Sequence, residues 1–325
     1  MKTWILPTEG SGLVLTDRPS RAPGDTELKI RMRGWSLNYR DGGVAKGRVQ
    51  RDTIPLSDGA GEVVAVGSRV TRFKVGDRVA STFFQNWIGG PMRADVPGSD
   101  LGGPIDGVLA EEVILSEQGV VPIPDHLSYA EAACLPCAGV TAWNALFEIG
   151  RIGPGKSVLL LGTGGVSVFA LQFAKLAGAK VTIISSSDEK LARARALGAD
   201  KTINYKTHPD WEKEVGQPVD LVLEVGGPGT MPKSLASVAS GGTIVVIGAV
   251  GGREGAGFEP LALIRRSIRV QGIFVGSRLM FEDMNRAIEV HKLMPVIDRV
   301  FPFEEAREAY AHQASATHFG KVAIA

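Results

Sequence analysis

Cysteine is scarce in this 325-residue chain: only Cys134 and Cys137 occur, too few for a disulfide framework and in keeping with a reducing compartment. A dominant charge is missing as well. With 36 Lys+Arg against 35 Asp+Glu, there is no global basic field to attract nucleic acid and no acidic tail to act as a disordered solvating segment, so the expected partner is a small molecule. The opening MKTWILPTEG lacks the long apolar core of a secretory signal, and later apolar runs are too short and too broken by glycine to span a bilayer. Those absences predict a cytoplasmic protein with no membrane or nucleic-acid partner. Histidine offers no catalytic triad signature: His126, His208, His291 and His312 lie in polar or helical surroundings, and His318 merely precedes Phe319-Gly320-Lys321. No internal repeat or low-complexity block stands out.

Glycine, by contrast, is plentiful. The 41 glycines fall at the ends of apolar runs, which implies many tight turns in a folded chain. The length suits two domains, each with a substantial core. From about residue 27 to 121, short β-rich runs (ELKIRMRG, GEVVAVGSRV, GDRVAST, GVLAEEVIL) are split by turn residues and read as a barrel-like antiparallel domain. Past the prolines of VVPIPDHLSYAEAACLP the texture changes. The strand SVLLLGTG, the amphipathic helix GGVSVFALQFAKLAG, the strand KVTIISS, the helix DEKLARARALGA and the strands KTINY, VDLVLEVGG and GTIVVIGAV alternate at α/β spacing. Near-continuous Val/Ile/Leu strands call for a parallel sheet covered on both faces, doubly wound with right-handed crossovers. These patterns assign residues 122–272 to the doubly wound domain. Gln85 to Gly107 is expected to be a long loop near a binding cleft.

Gly162-Thr163-Gly164-Gly165, followed by Val166, sits between the first of these strands and its helix, where backbone N–H groups at a helix N-terminus can face a pyrophosphate without obstruction by Cβ. The third glycine of the usual dinucleotide fingerprint is replaced by Ser167. An NAD site would place Asp or Glu at the end of the second strand, but this chain has Ser185-Ser186-Ser187 there. Small hydroxyls do not repel a 2′-phosphate, and Lys190 lies one helical turn on, so NADP(H) is expected in preference to NAD(H). Two features pull the other way: Asp188 stands beside the serines as a candidate ribose ligand, and Ser186 with Glu189 fits a helix capping box.

Six segments resemble the zinc-free branch of the medium-chain dehydrogenase/reductase superfamily, in particular its quinone oxidoreductase group. They are SLNYRD (36–41), SDGAGEVVAVGSRVTRFKVGDRV (57–79), LPCAGVTAWNAL (135–146), LGTGGVSVFALQFAKLAGAKV (161–181), LGADKTINY (197–205) and HFGKVAI (318–324). The resemblance implies an α/β chain: a GroES-like β-rich catalytic domain from both chain ends, residues 1–121 with 273–325, plus a Rossmann doubly wound parallel-sheet domain over residues 122–272. It implies that Thr141 touches the nicotinamide side, that Ser186, Lys190 and Tyr205 surround the adenosine 2′-phosphate, and that Gly248, Phe319 and Lys321 belong to the cofactor set. For Lys321 a plain surface charge is an equal alternative. Asn38, Tyr39 and Asp41 match a stretch lining the cleft. Asn38 and Tyr39 become the candidate polar contacts to substrate, while Asp41 serves equally well to brace the backbone.

The resemblance also bears on zinc. Cys134-Leu135-Pro136-Cys137 has the spacing of a zinc half-site, but a structural site needs four thiolate or imidazole ligands and a catalytic one needs three. Where the zinc alcohol dehydrogenases carry Cys-x-x-Asp and Gly-His-Glu, this chain has Asn38-Tyr39-Arg40-Asp41 and Leu56-Ser57-Asp58, and only Cys137 matches a ligand position. No metal is expected. Without a Lewis acid, reversible alcohol oxidation loses its usual electrostatic help, whereas hydride addition to a quinone or enone needs only a few hydrogen-bond donors. The expected activity is therefore NADPH-dependent reduction of a quinone or activated alkene. The alternatives are a metal-free alcohol or aldehyde dehydrogenase and a non-catalytic NADP-binding redox sensor. SIRVQGIFVG, read as an apolar edge strand, suggests a homodimer.

Overall fold

A computed structural model describes residues 1–8, 12–47, 51–252, 254 and 260–325. The chain divides into two compact units, one made of Met1–Val140 and Val275–Ala325, the other of Thr141–Phe274.

The first unit opens with an antiparallel hairpin of β1 (Lys2–Ile5) and β2 (Val14–Asp17). Its spine is the long strand β3 (Glu27–Leu37), followed by helix α1 (Tyr39–Lys46). β4 (Asp58–Val66) pairs antiparallel along β3, β5 (Arg78–Ser81) pairs with β4, β6 (Glu112–Ser116) pairs with the N-terminal half of β3, and β7 (Val120–Pro122) closes on β5. The short helix α2 (Tyr129–Ala132) follows and leads through π-helical turns into α3 (Val140–Trp143). Gly34 lies at a bulge in β3, where an added Cβ would come within 2.6 Å of the Tyr129 backbone, so the α2 approach requires glycine.

The second unit is a regular alternation: β8 (Ser157–Leu161), α4 (Gly165–Leu176), β9 (Lys180–Ser185), α5 (Asp188–Ala196), β10 (Lys201–Asn204), α6 (Trp211–Val215), β11 (Val219–Glu224), α7 (Met231–Ser237), β12 (Val238–Val246), α8 (Pro260–Arg266) and β13 (Arg269–Gly272). Its six strands are all parallel, in the order β10-β9-β8-β11-β12-β13. The direction of winding reverses between β8 and β11, which makes the carboxyl ends of those strands the ligand-binding position of an open α/β sheet. The core strands Val158–Leu161 and Leu221–Leu223 are buried on both faces, as their unbroken apolar sequences require.

The chain then returns to the first unit through α9 (Arg278–His291), β14 (Ile297–Phe301), α10 (Ala306–Ala314) and β15 (Lys321–Ile324). β15 inserts between β14, to which it is parallel, and the C-terminal half of β3, to which it is antiparallel. The first unit is thus largely antiparallel; β14 and β15 form a parallel pair, and the antiparallel pairing of β15 with β3 joins the chain's two ends. Trp4, Trp35 and Phe303 anchor that closure: the Trp35 and Phe303 rings lie 4.9 Å apart, and Trp4 Nε1 donates to the Phe303 carbonyl at 2.9 Å.

Two expectations need adjustment. The units divide at Val140/Thr141 and Phe274/Val275 instead of 121/122 and 272/273. Residues 122–140 pack with the β-rich unit because Pro122 accepts from Asn285 Nδ2 on α9 and Cys137 N donates to Asp58 on β4. The helical run Tyr129–Ile149 is, by length and composition, apolar enough to cross a membrane, contrary to the reading of the apolar runs as too short. Its most apolar window is 72% buried inside the protein, as befits a core helix. The segment 85–107 is a loop, as expected, with no helix or strand between β5 and β6, and it is held by internal bonds: Trp87 is buried and donates to the Gly90 carbonyl at 3.0 Å, and Asn86 Nδ2 donates to the Asp95 carbonyl at 2.7 Å.

Candidate functional site

In the second unit the glycine turn has the shape its sequence suggests. Gly162 has φ +75°, a left-handed conformation in which an L side chain is strained. Gly164 caps α4 in extended geometry, and a Cβ added at either glycine would meet open space. The first amides of α4, from Gly165 and Val166 onward, belong to the four that a helix N-terminus leaves without intrahelical acceptors, which is the arrangement that suits a phosphate. Ser167 stands where the fingerprint has its third glycine, and its hydroxyl donates to the Leu161 carbonyl at 2.8 Å, tying helix to strand.

The other predicted cofactor residues gather at the neighbouring strand ends. Thr163 and Ser185 are buried and their hydroxyls lie 3.3 Å apart, linking the turn to the end of β9. Tyr205, 40% exposed, donates its backbone N–H to the Ser185 carbonyl at 3.1 Å. The capping residue of α5 is Ser187, which accepts from Lys190 N at 3.3 Å. Ser186, the residue picked for that cap from sequence, lies one position too early, so the Ser186/Glu189 capping box is not the one formed. Asp188 Oδ1 accepts from Asn204 Nδ2 at 2.8 Å. Lys190 is half-buried on α5, Gly248 follows β12, and Thr141 is buried in α3.

Sequence reasoning missed Glu224. This fully buried carboxylate at the end of β11 accepts from Gly226 N (2.7 Å), Gly227 N (3.0 Å) and Thr230 Oγ1 (2.6 Å), and from Ser234 Oγ. It folds the loop beyond β11 around itself at the sheet's ligand-binding end. A lone acid at the end of an apolar strand, followed by Gly-Gly, was the available signal.

In the first unit the structure separates Asn38 from Tyr39. Asn38 is buried at the start of α1, with its backbone N–H donating to Asp41 Oδ2 at 2.6 Å, whereas Tyr39 is 64% exposed. Lys321 is not a surface charge: it is 3% exposed, and its Nζ donates to the Leu37 carbonyl at 2.5 Å and to Asn38 Oδ1 at 2.6 Å. Its neighbour Phe319 is buried and donates its N–H to Asp298 Oδ1 at 3.1 Å.

Around this lysine lies a polar cluster. Asp58 accepts from Ser57 Oγ at 2.6 Å and from Cys137 N at 3.1 Å. Burial raises the Asp58 pKa, opposed by the charge of Lys321 and by the Ser57 hydroxyl and the Asn38 amide. Burial likewise lifts Asp41 to about 6, against the pull of nearby Arg40. The same desolvation pushes the Cys134 thiol to about 11 and raises that of Cys137, so both cysteines are held as thiols. Arg40 is engaged elsewhere, with Asp100 at 2.8 Å and the Leu101 carbonyl at 2.9 Å.

Residues 24–125 match the alcohol dehydrogenase GroES-like domain and residues 165–290 the zinc-binding dehydrogenase family. A zinc-type alcohol dehydrogenase-like protein of Schizosaccharomyces pombe is 44% identical over 92% of this chain and 90% of its own length. A quinone oxidoreductase of Pseudomonas aeruginosa is 34% identical over 71% of this chain and 67% of its own. The crystal structure of a putative alcohol dehydrogenase from Sinorhizobium meliloti superposes with a TM-score of 0.92 at 42% identity, covering 99% of this chain and 98% of the other.

Proposed function

Because the chain belongs to the medium-chain dehydrogenase/reductase superfamily, with that family's GroES-like domain, its NAD(P)-binding domain and its oxidoreductase chemistry, we propose that it is a metal-independent, NADPH-dependent reductase of quinones or enones. The observation that carries this reading is the position of Lys321 Nζ beside Asn38, in the cluster that also holds Asp58 and Cys137. These residues do not fit a zinc ion. Asn38 Oδ1 is taken by the ammonium and both Asp58 oxygens are taken by hydrogen-bond donors, which leaves Cys137 as a single candidate ligand where a catalytic zinc needs three.

In the proposed reaction the bound nicotinamide supplies hydride. The chain's own residues hold the dinucleotide on the Gly162–Gly165 turn, stabilise negative charge on the acceptor oxygen through Asn38, and leave the last proton to water. Conjugation in a quinone or enone already spreads that charge, so a neutral amide gives enough help there, whereas an unactivated ketone gains more from a Lewis acid or a general acid. NADP(H) is favoured by the serines at the end of β9 and by the engagement of Asp188 with Asn204, which withdraws the acid best placed to bind a free ribose. The exposed edge strand β13 is the proposed surface for homodimer formation, and two unpaired cysteines suit a cytoplasmic setting.

The alcohol dehydrogenase names carried by the S. pombe and S. meliloti proteins favour one second reading, a metal-free alcohol or aldehyde dehydrogenase. Oxidation of NADPH and NADH by purified protein, measured against quinones, enones and aldehydes with and without chelator, separates the two. The expected result is chelator-insensitive turnover of quinones or enones, with NADPH preferred and less than a tenth of an equivalent of zinc. Stoichiometric zinc, with turnover confined to alcohols and aldehydes and lost on chelation, overturns the proposal. Failure of every acceptor despite tight NADPH binding leaves the redox sensor.

A further inference from the structure

A lysine buried in the middle of a sheet must direct its donors to protein acceptors, since an ammonium removed from water without partners is strongly disfavoured. Lys321 does so through the Leu37 carbonyl and Asn38 Oδ1. An ammonium can only donate, so the amide oxygen of Asn38 must be the atom facing it, and Nδ2 is turned the other way. Asn38 is 8% exposed, and Nδ2 completes no hydrogen bond with any described residue, although the amide lies near enough to Asp58 to lower that carboxyl's pKa. An amide whose orientation is locked by a cation, with at most one of its two N–H groups turned to Asp58, keeps a donor for a ligand oxygen. The cation also polarises the amide, because hydrogen bonds in series strengthen one another in a low-dielectric site.

We infer that Lys321 is a positioning residue: its ammonium fixes and polarises the Asn38 amide so that Nδ2 donates to the carbonyl oxygen of the acceptor. This rests on the reductase reading above and deepens it by naming the side chain that positions the donor to the acceptor's carbonyl. In the step it serves, the β-carbon of an enone gains the hydride as a new C–H bond and the C=C pair moves to leave an enolate oxygen facing Nδ2. Water then protonates the α-carbon, leaving hydroxide; NADPH, when bound, would supply the hydride and be oxidised to NADP+. Asn38 touches the substrate; Lys321 acts through it.

The test compares wild type with Lys321→Met, Lys321→Arg and the double variant Lys321→Met/Asp58→Asn, using NADPH with 2-cyclohexenone and 1,4-benzoquinone, and thermal unfolding as a check on folding. The double variant removes buried cation and buried anion together, so it remains informative if Lys321→Met alone does not fold. The expected result is a kcat at least 10-fold lower in the methionine and double variants. The Kd for NADPH should stay within 2-fold, the KM for the acceptor should change less than kcat, and Lys321→Arg should recover several-fold. A folded methionine variant with wild-type kcat, or a double variant restored to wild-type turnover, overturns the inference and leaves the reductase reading intact. Wild-type protein inert toward both acceptors overturns the reading, and the inference falls with it.

Discussion

Asp41 concentrates the electrostatics of the polar cluster in one side chain. Its Oδ2 holds the Asn38 backbone, its Oδ1 is buried without a partner, and its pKa is raised from 3.8 to about 6. A carboxyl whose folded pKa exceeds its unfolded one binds its proton more tightly in the native state, so its contribution is fully present below about pH 4 and is lost as pH rises through about 6, a span of ~3 kcal/mol. Asp41→Asn keeps an oxygen to accept from Asn38 and removes the charge. Its melting temperature relative to wild type should be higher by several degrees at pH 7.5, and that advantage should vanish by pH 4.5. A difference constant across the range would show that Asp41 stays ionised in the folded protein. The neighbouring residues show what sequence reading can and cannot reach at this scale. Asn38 was marked by its motif, but nothing local says that Lys321, far along the chain, pairs with it. In HFGKVAI the lysine leads a strand, and only the insertion of that strand between two others buries it.

At the scale of elements, the doubly wound sheet was legible because unbroken apolar strands spaced by amphipathic helices admit few arrangements. The parallel pairing of β14 with β15 was not, since long-range pairing leaves no periodic trace, and the proline-marked change of texture near residue 122 reports local structure and not packing. The turn between β8 and α4 was legible in full, and it carries a clean experiment. Gly164 has φ −79° and ψ −176°, which any residue adopts, and a Cβ there meets nothing within 4 Å. Gly164→Ala should therefore leave the melting temperature unchanged within about 1 °C, while its methyl group, placed where the pyrophosphate is proposed to lie, raises the Kd for NADPH by at least ~10-fold. Unaltered affinity would mean that the dinucleotide does not cross this turn. Gly162→Ala is a poor substitute for that test, because a side chain at φ +75° costs about 1–2 kcal/mol in any case.

For the whole molecule, chain order and packing are decoupled. The first unit needs both chain ends, because β15 fills the place between β14 and β3, and it has its own core around Trp4, Trp35, Leu37 and Phe301. The second is one continuous segment with a separate core around Leu159, Ile184, Trp211 and Val222. Separate cores imply separately measurable stabilities. Every residue proposed here to grip the pyrophosphate and the adenosine phosphate lies in the second unit, so bound NADPH should stabilise that unit first. At about 100 times Kd the gain available is ~2.7 kcal/mol, or roughly a 100-fold slowing of exchange through unfolding of that unit. Hydrogen–deuterium exchange with and without NADPH should show this slowing at Val158–Leu161, Val181–Ile184 and Leu221–Leu223, and a much smaller change at Leu28–Met32 and Gly61–Val63. Equal slowing in both sets would mean that the units unfold as one cooperative body, and the cores, though distinct in space, would then share a single stability.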